Sequence, residues 1–146
     1  MPVVTPQTFA DAVFGAFNTF WASRCTVVWP NKAFDPDALG VTQTVSYVKP
    51  AIVDDFEGQS QINNSVTPIL STRTGVFGVE IFTRGEAATD LANQRKDEVL
   101  QFLETPPATI VGTVFRRRGI QTIGFNGVWY QVNVTAAFLY FTDRAP

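Results

Sequence analysis

The sequence predicts an α+β fold: one domain whose mostly antiparallel β-sheet carries two main α-helices packed on it. Three observations lead there. Two stretches place apolar residues at helical spacing, several others alternate apolar and polar residues as strands do, and no linker or repeat divides the 146 residues. A chain of that length buries roughly two thirds of the surface its unfolded form exposes, enough for a core without staples.

The first helix is expected from Phe9 to Ser23, with Thr8 as its cap and Phe9, Val13, Phe14, Phe17, Phe20 and Trp21 along one apolar stripe. Thr26 to Trp29 reads as a short strand stopped by Pro30, and Asn31 to Val41 as a long loop punctuated by Pro36 and Gly40. Thr42 to Val53 reads as a second strand, with Pro50 marking an edge or a bulge. Asp54 to Asn64 has few apolar residues and reads as a mobile loop. Val66 to Thr72 and Gly75 to Thr83 are two further strands joined by a tight hairpin or bend at Arg73-Thr74.

Gly85 releases the chain into a second helix from Glu86 to Glu104. Ala88, Leu91, Ala92, Arg95, Val99, Phe102 and Leu103 share its inner face, Glu86 and Asp90 suit its N-terminal dipole, and Pro106-Pro107 stop it. Thr109 to Phe115, Gln121 to Phe125 and Val128 to Thr142 complete the strands. Asn126-Gly127 is expected to close the last hairpin as a type I′ turn, since both residues tolerate positive φ. The last strand puts Val128, Tyr130, Val132, Val134, Ala136, Phe138 and Tyr140 on a core face. Its other face mixes Trp129, Gln131, Asn133, Thr135, Leu139 and Phe141 and is only half polar, so it is expected to meet a helix or a neighbouring subunit.

Composition narrows the chemistry. The sequence has no histidine, so imidazole-based triads, histidine metal sites and histidine proton shuttles fall away. Its single cysteine, Cys25, forms neither an internal disulfide nor a thiolate zinc site and suits a cytoplasm-like compartment. No phosphate-binding loop or dinucleotide fingerprint stands between a strand and a helix. We therefore expect no enzyme and no cofactor. Met1 to Thr5 lack the charged start of a secretory leader, and no apolar run approaches a membrane span of ~20 residues. Thirteen Phe and 45% hydrophobic residues supply a core, and a net charge of −2 gives no general affinity for nucleic acid. The carboxylate pairs Asp35/Asp37 and Asp54/Asp55 remain candidates for a hard cation or acid–base work, with solvated turns as the simpler account.

Charge is segregated along the chain. Between Thr26 and Gln61, Asp35, Asp37, Asp54, Asp55 and Glu57 face only Lys32 and Lys49, whereas Thr105 to Thr142 holds Arg116, Arg117 and Arg118 and no acid. Opposite charges on opposite flanks favour head-to-tail contacts between identical subunits. The arginine run is a candidate for contacting a neighbouring subunit, a partner protein or DNA phosphates, or is a solvated hairpin end. Trp29, Trp129 and Phe141 are candidates for interface or core, and the long loops for partner contact.

The run Gly75-Val76-Phe77-Gly78-Val79-Glu80-Ile81-Phe82-Thr83, a Gly turn at Gly85, an Ala-rich helix with Leu91-Ala92 near its start, Ile110-Val111-Gly112, and Gly127-Val128-Trp129-Tyr130-Gln131-Val132-Asn133-Val134 together form a pattern. That pattern, from about Thr67 to Phe141, resembles the tail terminator proteins of long-tailed bacteriophages. The N-terminal helix, the short strand before Pro30 and the strand ending near Val53 stand in the order of that family. The resemblance implies a single tail-terminator-like domain and a structural virion protein, assembled in the host cytoplasm and sited at the head–tail junction. It implies a hexameric ring that caps the tail tube, ends its polymerisation and receives the neck or connector, with tail tube and neck proteins as partners. DNA is met only on passage through the lumen. A different neck, tail completion or tail tube role, and a small-ligand or metal-binding domain, are the alternatives.

Overall fold

A computed structural model describes residues 6–21, 24–30, 33, 45–59, 69–85, 88–104 and 114–144. In chain order they form α1 (Pro6–Trp21), β1 (Thr26–Val27), β2 (Val45–Gln59), β3 (Ile69–Arg84), α2 (Ala88–Glu104), β4 (Val114–Asn126) and β5 (Trp129–Arg144). The five strands form one sheet in the order β1-β2-β3-β5-β4. Only β1 runs parallel to its neighbour, through Thr26↔Tyr47 and Val27↔Val48; the other pairings are antiparallel. The domain is thus α+β, two helices on a mostly antiparallel sheet. No described helix is long and apolar enough to cross a membrane.

Strand parity assigns the faces. Val48 of β2, Phe77, Val79 and Ile81 of β3, and Val134, Ala136, Phe138 and Tyr140 of β5 point to one side. There they meet Phe9, Val13, Phe17 and Trp21 of α1 and Val99, Phe102 and Leu103 of α2. The Phe102 ring sits at the meeting point, with ring centroids 5.4 Å from Phe17, 6.0 Å from Phe77 and 6.4 Å from Phe115. At the far end Phe9 stacks on Tyr140 at 4.0 Å. Both helices therefore lie on one face, and we call the opposite face outer.

Two local devices hold the helices in place. Beyond α1, Arg24 pairs with Glu98 of α2, and Arg95 reaches both Glu98 (2.8 Å) and the carbonyl of Arg24 (2.9 Å). Between β3 and α2 the buried Thr83 hydroxyl donates to the carbonyl of Ala88 at 2.7 Å, and Gly85 takes the turn at φ 113.

Several sequence expectations are corrected. Helix α1 starts at Pro6, a residue favoured in a first turn because it lacks the N–H that would go unpaired, so Thr8 lies inside the helix and is not its cap. The expected loop from Asp54 is strand as far as Gln59. Pairing with β3 runs on to Gln59↔Ser71, and a bulge between Asp54 and Phe56 absorbs the change of register. The expected hairpin at Arg73-Thr74 is absent, because β3 is held between β2 and β5 throughout and both its edges are hydrogen-bonded. Thr109 to Phe115 and Gln121 to Phe125 are not separate strands over their described residues: β4 is continuous from Val114, with irregularities between Arg116 and Gly119 and between Thr122 and Gly124. In the last hairpin Asn126 pairs with Trp129, so the loop residues are Gly127 and Val128. Gly127, at φ 66, occupies the first loop position, where both primed turns need positive φ. Val128 is consequently 59% exposed and off the core face. The long loop Asn31 to Val41 lies outside the described residues, apart from Ala33.

Phe102→Ala, at a fully buried position among four other rings, should cost about 3–5 kcal/mol. Phe125→Ala, at a side chain 64% exposed that touches Tyr130, should cost under about 1 kcal/mol. Chemical denaturation of both variants checks the assignment of core and edge.

Candidate functional site: sheet edges and outer face

The described strands end the sheet in two long edges. On one side, β1 covers β2 only at Tyr47 and Val48, with one further bond from Val28 N to the Val48 carbonyl. Among the described residues no strand pairs with β2 on that side from Pro50 to Gln59. On the other side, no described strand pairs with β4 beyond β5. Unpaired strand edges present rows of N–H and C=O groups that invite another strand.

The sequence-predicted charged residues divide between these edges. Asp54, Asp55 and Glu57 lie on β2, and Arg116, Arg117 and Arg118 on β4. Register sets their heights. One row of Cα partners runs Val53, Val76, Ala137, Arg116; the next runs Asp54, Gly75, Phe138, Phe115. The arginines and the acids therefore occupy adjoining levels of opposite edges. The arginine run is not a hairpin end but a bulge within the outermost strand β4. Arg116 is exposed; Arg118 reaches back to Glu104 at the end of α2, 3.0 Å away, so part of that positive charge is offset within the chain. The side chains of Asp54, Asp55, Glu57, Arg117 and Phe141 lie outside those described, as do Asp35 and Asp37 altogether. No three His, Cys, Asp or Glu among the described residues are gathered to hold a metal.

Apolar side chains line the same β4 edge. Ile120, Ile123 and Phe125, with Val128 in the turn, are 45–64% exposed. In the sequence this edge does not stand out, because its alternation is that of an ordinary half-buried strand. Packing explains the exposure: the main described contacts of α2 with the sheet are to β3 and β5, not β4.

The outer face carries an aromatic cluster at the end where β3 finishes. Tyr47 and Phe82 stack at 4.6 Å, Trp129 meets Tyr47 edge-on at 4.9 Å, and the Arg84 guanidinium lies 4.6 Å over the Trp129 ring. Lys49 lies 5.4 Å from the Phe82 centroid. Beside it, Trp29, Pro30, Lys49, Gly78, Glu80 and Asn133 border an open, mostly apolar cavity of about 450 Å³. Trp129 thus serves as an intramolecular platform for an arginine, while Trp29 is half-buried edge-on to Phe14 at 5.6 Å. Arg84 was missed in the sequence. Its signal was only a cation closing the strand just before Gly85.

No family model and no curated protein matches the sequence. Among solved structures, 23 chains match it. One of these aligns over 94% of this chain and 97% of its own, at 18% identity and a TM-score of 0.48, a distance at which the likeness says nothing of function.

Arg118→Ser removes an ion pair whose side chains are 39% and 60% exposed, so denaturation should show a loss of at most ~1 kcal/mol in the isolated chain.

Proposed function

We propose that this chain is a structural subunit of a long-tailed phage, a terminator-type protein that forms a closed ring on the end of the tail tube at the head–tail junction. The phage assignment is supported by the sequence resemblance across Thr67 to Phe141. The ring is supported by one geometric observation: the basic stretch stands on one outermost strand of the described sheet, and the acids Asp54, Asp55 and Glu57 stand at adjoining heights on the part of β2 that no described strand pairs with on the opposite side.

Strand direction makes the contact specific. Antiparallel pairing from β2 through β3 and β5 to β4 leaves β2 and β4 running in opposite directions. When identical subunits are related by rotation about a ring axis along the strands, β4 of one lies beside β2 of the next in antiparallel sense. The part of β2 left open by β1 begins at Pro50 and faces the half of β4 that contains the arginines. Backbone pairing and charge would then act at one heterologous contact, and heterologous contacts that close give rings. The neck or connector and the tube would meet the ring's two ends, and DNA would pass through its lumen.

Light scattering over a wide concentration range, alone and with purified tail tubes, tests this together with negative-stain images. The expected result is a holed particle near six times the 16.1 kDa chain mass, or addition of such a ring to tube ends. Replacing Arg116, Arg117 and Arg118 together by Ser should weaken that assembly at least tenfold. Open-ended tubes of this chain alone would assign it to the tube instead, and a monomer that ignores tail tubes at every concentration would contradict the proposal.

A further inference from the structure

We infer that Arg84 is a receptor for a carboxylate, at a site on the outer sheet face that is distinct from the charged edges and does not depend on the ring. The residue is only 7% exposed, and its Nε and Nη2 atoms are buried with no hydrogen-bond partner among the described residues. A buried charge without a partner is strongly unfavourable, and removing one member of a buried pair is far worse than replacing both by apolar groups. In this domain, an arginine in that condition is half of an interaction whose other half comes from outside.

The geometry specifies the missing half. Nε and Nη2 form one side of the guanidinium fork, two parallel N–H donors spaced for the two oxygens of a planar oxyanion. The guanidinium carbon rests over Trp129, 4.6 Å from its ring centroid, and Trp129 itself meets Tyr47 of the Tyr47–Phe82 stack. A platform of this kind removes most of the rotamer freedom that an arginine otherwise loses on binding, so the fork is preorganised. The surroundings are aromatic and the fork supplies a single cation, which suits a singly charged carboxylate. A phosphate dianion would carry one uncompensated charge into the same apolar setting. Arg84 is also the last residue of β3, followed by exposed Gly85, so the fork lies at the end of the sheet, and a carboxylate reaches its buried donors by displacing what covers them. The carboxylate belongs either to a small free ligand or to a side chain or chain end of a second protein molecule; the chemistry is the same.

The test uses the full chain with Arg84→Met, which keeps the apolar stem, and Arg84→Lys, which keeps the charge and loses the fork. Melting temperature is followed against sodium acetate, with sodium chloride holding ionic strength constant and sodium phosphate as comparator, and assembly is followed by light scattering. The expected results are that Arg84→Met melts no lower than the wild type, since an unpaired buried charge has gone, and that one of two carboxylate effects disappears with it. If the carboxylate is free, acetate raises the wild-type melting temperature and neither variant responds. If it comes from a protein, Arg84→Met and Arg84→Lys each assemble at least tenfold more weakly while their monomers stay folded. A melting temperature several degrees lower in Arg84→Met would overturn the inference by showing that the guanidinium is already satisfied within the chain. So would a larger response to phosphate than to acetate, or a wild type indifferent to acetate combined with variants that assemble normally.

Discussion

The structure depends first on both helices lying on one face of the sheet. Phe102 makes this possible by joining α1, α2, β3 and β4 in one ring cluster. The Arg24–Glu98–Arg95 clasp then ties the end of α1 to the middle of α2. No described helix covers the outer face, and among the described residues the Tyr47, Phe82 and Trp129 rings supply much of its cover. No described strand pairs with β4 beyond β5, or with β2 from Pro50 on along the side away from β3.

Much of this was legible in the residues. The helical stripe from Phe9 to Trp21 and the alternation from Val132 to Tyr140 identified the core residues, because helical and strand periods mark which side chains face inward. The long acidic strand was not legible. Asp54, Asp55 and Glu57 are poor strand formers, and they are strand here because β3 offers partners along its whole length. Likewise Arg73-Thr74 looks like a turn locally but is held straight by neighbours on both sides. These are tertiary effects, and periodicity carries no record of them. The charge segregation was read from the chain, yet its meaning needed topology: only the order β1-β2-β3-β5-β4 puts the two charged stretches on opposite edges.

The candidate site has the same character. Arg116, Arg117 and Arg118 stood out by composition, whereas Arg84 is a single cation at a strand end and becomes informative only when its buried fork, without a partner among the described residues, is seen beside Trp129. Exposed charge at an edge serves register and attraction and is individually weak. A buried guanidinium on an aromatic platform acts at short range and is sensitive to the shape of its partner. In the proposed assembly the edge would supply attraction and the face selectivity.

Everything proposed for the ring rests on β2 of one molecule lying beside β4 of the next. The most direct test combines Val53→Cys and Arg116→Cys, which share a row on opposite edges and are separated within one molecule by two strands, with a short thiol-reactive cross-linker in a Cys25→Ser background. The expected result is a ladder of covalent oligomers from the doubly substituted protein under assembling conditions, and dimers but no longer species from a mixture of the two single variants. Full assembly without cross-linking, or with cross-links between two Val53→Cys positions, would contradict that contact.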